Sequence, residues 1–231
     1  MVKNKPVYAF EEADSKKRML LGGKGAGLSE MTRLKLPVPP GFTITTEVCN
    51  KYYDNNGKLP KDVMPAVMKN IAKMEKKTGK KWNSTKNPLL VSVRSGAAIS
   101  MPGMMDTILN LGLNEKTVEG FAEQTKNPRF SWDSYRRFIQ LFGKVVFGVN
   151  DEKFDHVLDS AKKKQGVTDD SKLNVESLKK IVSEYKKICE KHTKRKFPDT
   201  PDEQLVLSIE AVFKSWMGER AIVYREKNNI T

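Results

Sequence analysis

Apolar and polar positions switch between two periods along this chain, and the switches mark its elements. Val7-Tyr8-Ala9-Phe10 has the composition of a short first strand. A turn, Leu21-Gly22-Gly23-Lys24-Gly25-Ala26-Gly27, leads to a helix through Leu28, Met31 and Leu34, which Pro37, Pro39 and Pro40 keep from continuing. Gly41-Phe42-Thr43-Ile44-Thr45 reads as a second strand and Thr46 onward to Tyr53 as a helix. Val63, Val67, Ile71 and Met74 recur at three- and four-residue spacing, which predicts an amphipathic helix over 61–77. Strand character returns at residues 89–93 and again at Ile108-Leu109-Asn110-Leu111. Helical spacing then dominates, through Tyr135, Phe138, Ile139, Phe142 and Val146 and through Val175, Leu178, Val182, Tyr185 and Cys189. A helix through Leu205, Ile209, Val212, Phe213 and Trp216 precedes a last predicted strand, Ala221-Ile222-Val223-Tyr224-Arg225.

These patterns predict an α+β chain. A mixed α/β lobe covers 1–114, an inserted helical subdomain covers 115–198, and 199–231 returns to the first lobe. No return strand follows Arg225, so the last strand is expected either to pair with an earlier one or to mark a cut at a module boundary.

Two segments carry candidate chemistry. Val91-Ser92-Val93-Arg94 delivers an arginine into a loop of Gly, Ser and Pro, where small residues let backbone N–H groups approach an anion and the guanidinium offers a planar donor fork. The same loop holds Met101, Met104 and Met105, adaptable apolar side chains beside phosphate-type donors, which suits a nucleotide. The glycine turn could seat a phosphate at a helix N-terminus, with Lys24 adding a full charge. It is neither a P-loop, since Gly25 follows the lysine, nor a dinucleotide fingerprint, since Leu28 stands where a glycine is needed. The turn equally suits a plain bend with a solvated lysine.

Composition narrows the rest. A formal net charge of +14 invites a polyanion partner. Half of the excess lies in residues 161–196, with twelve Lys and Arg against five Asp and Glu, and its one aromatic, Tyr185, belongs to the apolar helical stripe rather than to a base-stacking series, so a solvated face is the plainer reading and no specific nucleic-acid partner is expected. Two cysteines, Cys49 and Cys189, make neither a disulfide framework nor a metal site, and His156 and His192 lack metal-ligand spacing. No apolar run approaches the ~20 residues that span a bilayer, and no signal core follows Met1-Val2-Lys3, so a cytoplasmic chain without a membrane partner is expected.

Taken together, Gly22-Gly23-Lys24-Gly25, Gly41-Phe42-Thr43-Ile44-Thr45-Thr46, Ser92-Val93-Arg94-Ser95-Gly96, the 100–107 loop, Asn127-Pro128-Arg129-Phe130, Ser134-Tyr135-Arg136-Arg137-Phe138 and Ser215-Trp216 with Arg220-Ala221-Ile222-Val223-Tyr224-Arg225 resemble the N-terminal nucleotide-binding domain of the pyruvate, phosphate dikinases, an ATP-grasp-type domain. The resemblance covers essentially the whole chain. The related pyruvate, water dikinases share the Val-Arg-Ser core but continue with a Ser-Ser-Ala-Thr-Ala-Glu-Asp type of loop, unlike Ser95-Gly96-Ala97-Ala98-Ile99-Ser100-Met101-Pro102-Gly103 here.

The resemblance implies that Lys24, Arg94 and Arg137 bind ATP phosphates and that the methionine-glycine loop, with Gly103, Met105 and Thr107, covers the nucleotide. It implies an enzyme that turns ATP, phosphate and pyruvate into AMP, diphosphate and phosphoenolpyruvate through a phosphohistidine, with magnesium as cofactor and a homodimeric full assembly. By the same resemblance the second ATP lobe with its magnesium-binding carboxylates, the Thr-Ser-His phosphohistidine domain and the pyruvate barrel would lie beyond this chain, so no catalytic or metal residue is expected within it. The chain by itself is then expected to bind nucleotide weakly and not to turn over. Two other readings stay open: the ATP-binding subunit of a split phosphotransferase, docking through Trp216 and the last strand, and a non-catalytic polyanion-binding module.

Overall fold

The computed structural model describes residues 4–99, 101, 103 and 105–230. The sequence motif of the 100–107 loop therefore falls partly outside the described residues, at Ser100, Pro102 and Met104. The chain forms two compact units: Met1–Lys80 with Arg94–Asp106 and Ile209–Thr231, and Lys81–Val93 with Thr107–Ser208.

In the first unit, β1 (Val7–Ala9) pairs antiparallel with β2 (Phe42–Ile44), placing Val7 opposite Ile44 and Ala9 opposite Phe42. Helix α1 (Arg18–Arg33) packs on β2 and on α2 (Thr46–Asp54), and α3 (Val63–Thr78) packs on β1. The periodic residues Val63, Val67 and Ile71 of α3 are at most 2% exposed, which makes each worth about 1.5–3 kcal/mol of burial. Gly79, in the left-handed region, ends α3. The predicted turn at Leu21-Gly27 lies inside α1: Gly22, at φ 71° and ψ 162°, kinks the helix and the chain resumes it at Gly23.

The last predicted strand is a helix, α9 (Glu219–Lys227), so the open strand edge expected there does not exist. Ala221-Ile222-Val223-Tyr224 has β propensity, but the surroundings decide otherwise. Gly218 starts the helix in extended geometry, Glu219 stands in the first turn and Arg225 and Lys227 in the last, matching the helix dipole. Arg225 lies 4.3 Å from the Trp216 ring centre and donates to the Trp216 carbonyl at 3.2 Å, contacts available only when the chain winds back past Trp216.

In the second unit, β3 (Val91–Arg94, its last residue counted with the first unit) is hydrogen-bonded to β4 (Thr107–Leu111). Helix α5 (Pro128–Val145) packs on β4 and on α4 (Thr117–Thr125), with α6 (Asp151–Gln165) and α7 (Val175–Thr193) packed on α5 and on each other. The Asn127 side chain accepts from the Phe130 N–H and Pro128 opens the first turn, so the Asn127-Pro128 pair fixes where α5 starts. Tyr135, Phe138 and Phe142 from α5, Phe154 from α6 and Tyr185 from α7 are fully buried and form an aromatic core. Cys189 is buried there, and burial pushes its thiol up to about 12, the inert thiol its apolar stripe predicts.

Helix α8 (Pro201–Ser215) belongs to this unit as far as Ser208. Its Gln204 is fully buried. The amide oxygen accepts from the Gly112 N–H at 3.0 Å, and the amide nitrogen donates to the Leu113 and Pro198 carbonyls, each at 3.0 Å. Among the described residues, no helix is long and apolar enough to cross a membrane.

Candidate anion-binding site

The site of interest forms where the kinked helix meets the segment leaving β3. Gly22 holds a backbone conformation that only glycine adopts without strain, and a Cβ added there would lie 1.7 Å from the Gly96 carbonyl oxygen. The two backbones therefore touch. Just beyond, the Gly23 N–H donates to the Ala97 carbonyl at 2.8 Å, so that helix-terminal donor is already engaged by protein. Lys24 Nζ donates to the Ser95 carbonyl at 2.8 Å. Arg18, one turn before the kink, donates through Nε to the Ala98 carbonyl at 3.0 Å. Four successive residues, 95–98, are thus pinned along the start of the resumed helix.

That pinning brings together the two cations the sequence singles out. Arg94 immediately precedes the pinned segment, and its charge reaches Lys24. Partial desolvation first, and the Arg94 guanidinium second, hold the Lys24 ammonium below the usual lysine value of 10.5. Both residues are exposed, and neither has an ion pair with a carboxylate among the described residues. Two like charges held side by side and open to solvent form a place where an anion is attracted and where its arrival relieves repulsion.

Gly103 and Met105 belong to the same unit; Gly103 is exposed at φ 71°, with open space around the position of a Cβ, and Met105 is half-buried. The end of their loop is tied down in that unit: the Asp106 N–H donates to Ser215 Oγ at 3.4 Å, and the Asp106 carboxylate lies 3.8 Å from the Arg220 guanidinium. Thr107 and Arg137 belong to the second unit, Thr107 as the first residue of β4. On α5, one carboxylate serves two arginines. Asp133 accepts from Arg136, whose side chain is 3% exposed, and from Arg137 Nε at 3.0 Å, whose side chain is 63% exposed. Arg136 is thereby a core residue, while Arg137 offers its outer face to solvent.

Sequence reasoning missed Arg18. It sits in a run of basic residues beside the motif, and its only signal is the distance of one helical turn from Gly22. His156 and His192 are exposed on α6 and α7. Among the described residues, no group of three or more His, Cys, Asp or Glu side chains could hold a metal ion.

An α+β chain with paired, open cations beside a glycine-kinked helix has the equipment of a phosphate-binding domain. The chain belongs to the family described as pyruvate phosphate dikinase, AMP/ATP-binding domain, which it matches over residues 18–63 and 55–231. It is 53% identical over 225 residues to a pyruvate, phosphate dikinase of Entamoeba histolytica, covering 97% of this chain and 25% of that protein. It is 48% identical to those of Clostridium symbiosum over 225 residues and of Giardia intestinalis over 231, covering in each case 97% of this chain and 26% of the relative. The chain spans about a quarter of the length of these curated relatives.

Proposed function

We propose that this chain holds the phosphates of ATP for a pyruvate, phosphate dikinase reaction, with Lys24 and Arg94 as the principal phosphate ligands. The observation that carries the proposal is the adjacency of these two cations, borne on segments 70 residues apart in sequence and held together by backbone contacts. In phosphoryl transfer the protein contributes mostly positioning and charge neutralisation, which is what such a pair supplies. Gly103, Met105, Thr107 and Arg137 are proposed as further nucleotide contacts on the strength of the resemblance. The wider fold is proposed to be an ATP-grasp-type lobe carrying a helical insertion.

In the whole reaction, ATP would give its two terminal phosphates to a histidine elsewhere in the enzyme, releasing AMP. Inorganic phosphate would take one phosphoryl group to form diphosphate, and the remaining phosphohistidine would convert pyruvate to phosphoenolpyruvate. Magnesium would be held by carboxylates other than those described here, and the reaction would take place in the cytoplasm in a homodimeric assembly.

Isothermal calorimetry with ATP tests the phosphate assignment. Lys24→Ala and Arg94→Ala are each expected to weaken binding by about 10- to 100-fold, the cost of losing one charge-assisted contact. Equal affinity for wild type and both variants overturns the assignment. Residues 1–231 assayed alone are expected to release no AMP. Binding to DNA or heparin that collapses with salt and ignores Lys24 would instead favour a general polyanion surface.

A further inference from the structure

We propose that Arg18 is a positioning residue for the phosphate site: by anchoring residues 95–98 to the kinked helix, it sets the distance between Lys24 and Arg94. The inference rests on the reading of Lys24 and Arg94 as phosphate ligands, but its central measurement does not need a ligand.

The argument starts from what must hold two like charges together. Lys24 and Arg94 repel, so separate flexible side chains would drift apart in solvent unless backbone geometry opposes them. Residues 95–98 supply that geometry, since they follow Arg94 directly and run along the start of the resumed helix. Four contacts keep them there: the close approach of Gly22 to the Gly96 carbonyl, the Gly23 N–H to Ala97, Lys24 Nζ to Ser95, and Arg18 Nε to Ala98.

Of the two side chains in this set, Lys24 is the one that must also meet the ligand. Arg18 fixes the far end of the segment, three residues beyond the carbonyl that Lys24 grips. Gly23 makes this reach possible, because a Cβ there would lie 3.0 Å from Arg18 Nη2 and 3.3 Å from the Ala98 carbonyl oxygen. The guanidinium thus crosses the helix at a point where a side chain would obstruct it. A planar donor on a long exposed stem, spent on a backbone carbonyl 80 residues away, contributes little to stability. Its consequence is geometric: release of residue 98 lets the segment, and Arg94 with it, move off the helix.

The test follows the Lys24 ammonium directly, by NMR titration of its 13Cε resonance in the whole chain, together with ATP binding by calorimetry. Arg18→Ala is expected to raise the Lys24 midpoint toward 10.5, as residues 95–98 lift off and rehydrate the ammonium and Arg94 moves away with them, and to weaken ATP binding about tenfold. Arg18→Lys, which keeps a donor at that end, is expected to restore part of both. Gly23→Ala, with Arg18 intact, is expected to shift both measurements in the same direction as Arg18→Ala, and it provides a second route should Arg18→Ala fold poorly. An unchanged Lys24 midpoint in both Arg18→Ala and Gly23→Ala overturns the proposal, whatever happens to affinity. In particular, weaker ATP binding with an unmoved midpoint would make Arg18 a direct ligand contact. A raised midpoint in a protein that never binds ATP would uphold the positioning role while defeating the proposed function.

Discussion

Two pairs of basic side chains in this protein show how differently the same charge can be used. In the helical unit, Arg136 is buried and shares the Asp133 carboxylate with Arg137, and its Nη1 also donates to Gln140 at 3.2 Å. In the other unit, Lys24 and Arg94 are exposed, each within the other's electrostatic reach, and Lys24 rests on the Ser95 carbonyl alone. The first arrangement is served from within: one carboxylate takes both guanidinium groups, and only the outer face of Arg137 stays open. The second is incomplete, because neither cation pairs with a carboxylate among the described residues. The lesson is that an anion-binding site is recognised less by the presence of basic residues, which this chain carries in excess, than by the absence of internal partners where they converge.

The largest expected effect breaks the buried member of the comparison. Arg136→Ala should lower stability by about 3–5 kcal/mol, because it leaves part of a buried carboxylate unpaired, whereas Lys24→Ala should leave stability unchanged or slightly raised. Urea denaturation of both variants checks this; equal losses would erase the distinction between a structural and an open cation. Next in size is Gly22→Ala, which must leave its left-handed backbone and push the Gly96 carbonyl away. About 2–4 kcal/mol of destabilisation is expected in the same assay.

A smaller effect is read from pH. The Lys24 ammonium sits below 10.5 in the folded chain, so its charged form is disfavoured by folding: this penalty is fully present below the folded value and vanishes above 10.5. An arriving phosphate reverses the preference. ATP affinity should therefore fall as pH rises through the depressed value toward 10.5, and Lys24→Met should remove that step; a profile identical in both proteins would detach Lys24 from the ligand. The smallest effect concerns a pair made entirely on the surface. Hydrogen bonds from Arg33 and Ser15 hold the half-buried Glu30 carboxyl down to about 2. Its modest stabilisation is present above the ordinary value of 4.5 and lost as pH falls toward 2, and Glu30→Gln should flatten thermal stability over that window.

Much of this was legible in the residues. The α3 stripe, the Asn-Pro start of α5 and the buried thiol of Cys189 follow from periodicity and capping, which act locally. Lys24 and Arg94 stood out because glycine and serine flank them, a local cue to close backbone approach. What could not be read locally was decided at long range. Gly22 looks like a turn in sequence, yet it is a kink between two helical segments, at a point where the Gly96 carbonyl occupies the space a side chain would need. Ala221-Ile222-Val223-Tyr224 favours a strand by propensity, and Trp216 with Arg225 reverses it. Arg18 had no signature beyond its spacing of one helical turn from Gly22, since its partner is a carbonyl 80 residues downstream.

Gln204 carries a last consequence. One amide side chain splints three backbone groups that the sequence scatters over Gly112, Leu113 and Pro198, accepting once and donating twice. Hydrolysis of that amide to a carboxylate would exchange its NH2 group for one oxygen at almost no change in volume. Yet it would strand two carbonyls and bury a charge, so slow chemical ageing at this single glutamine would act on the helical unit as a mutation does.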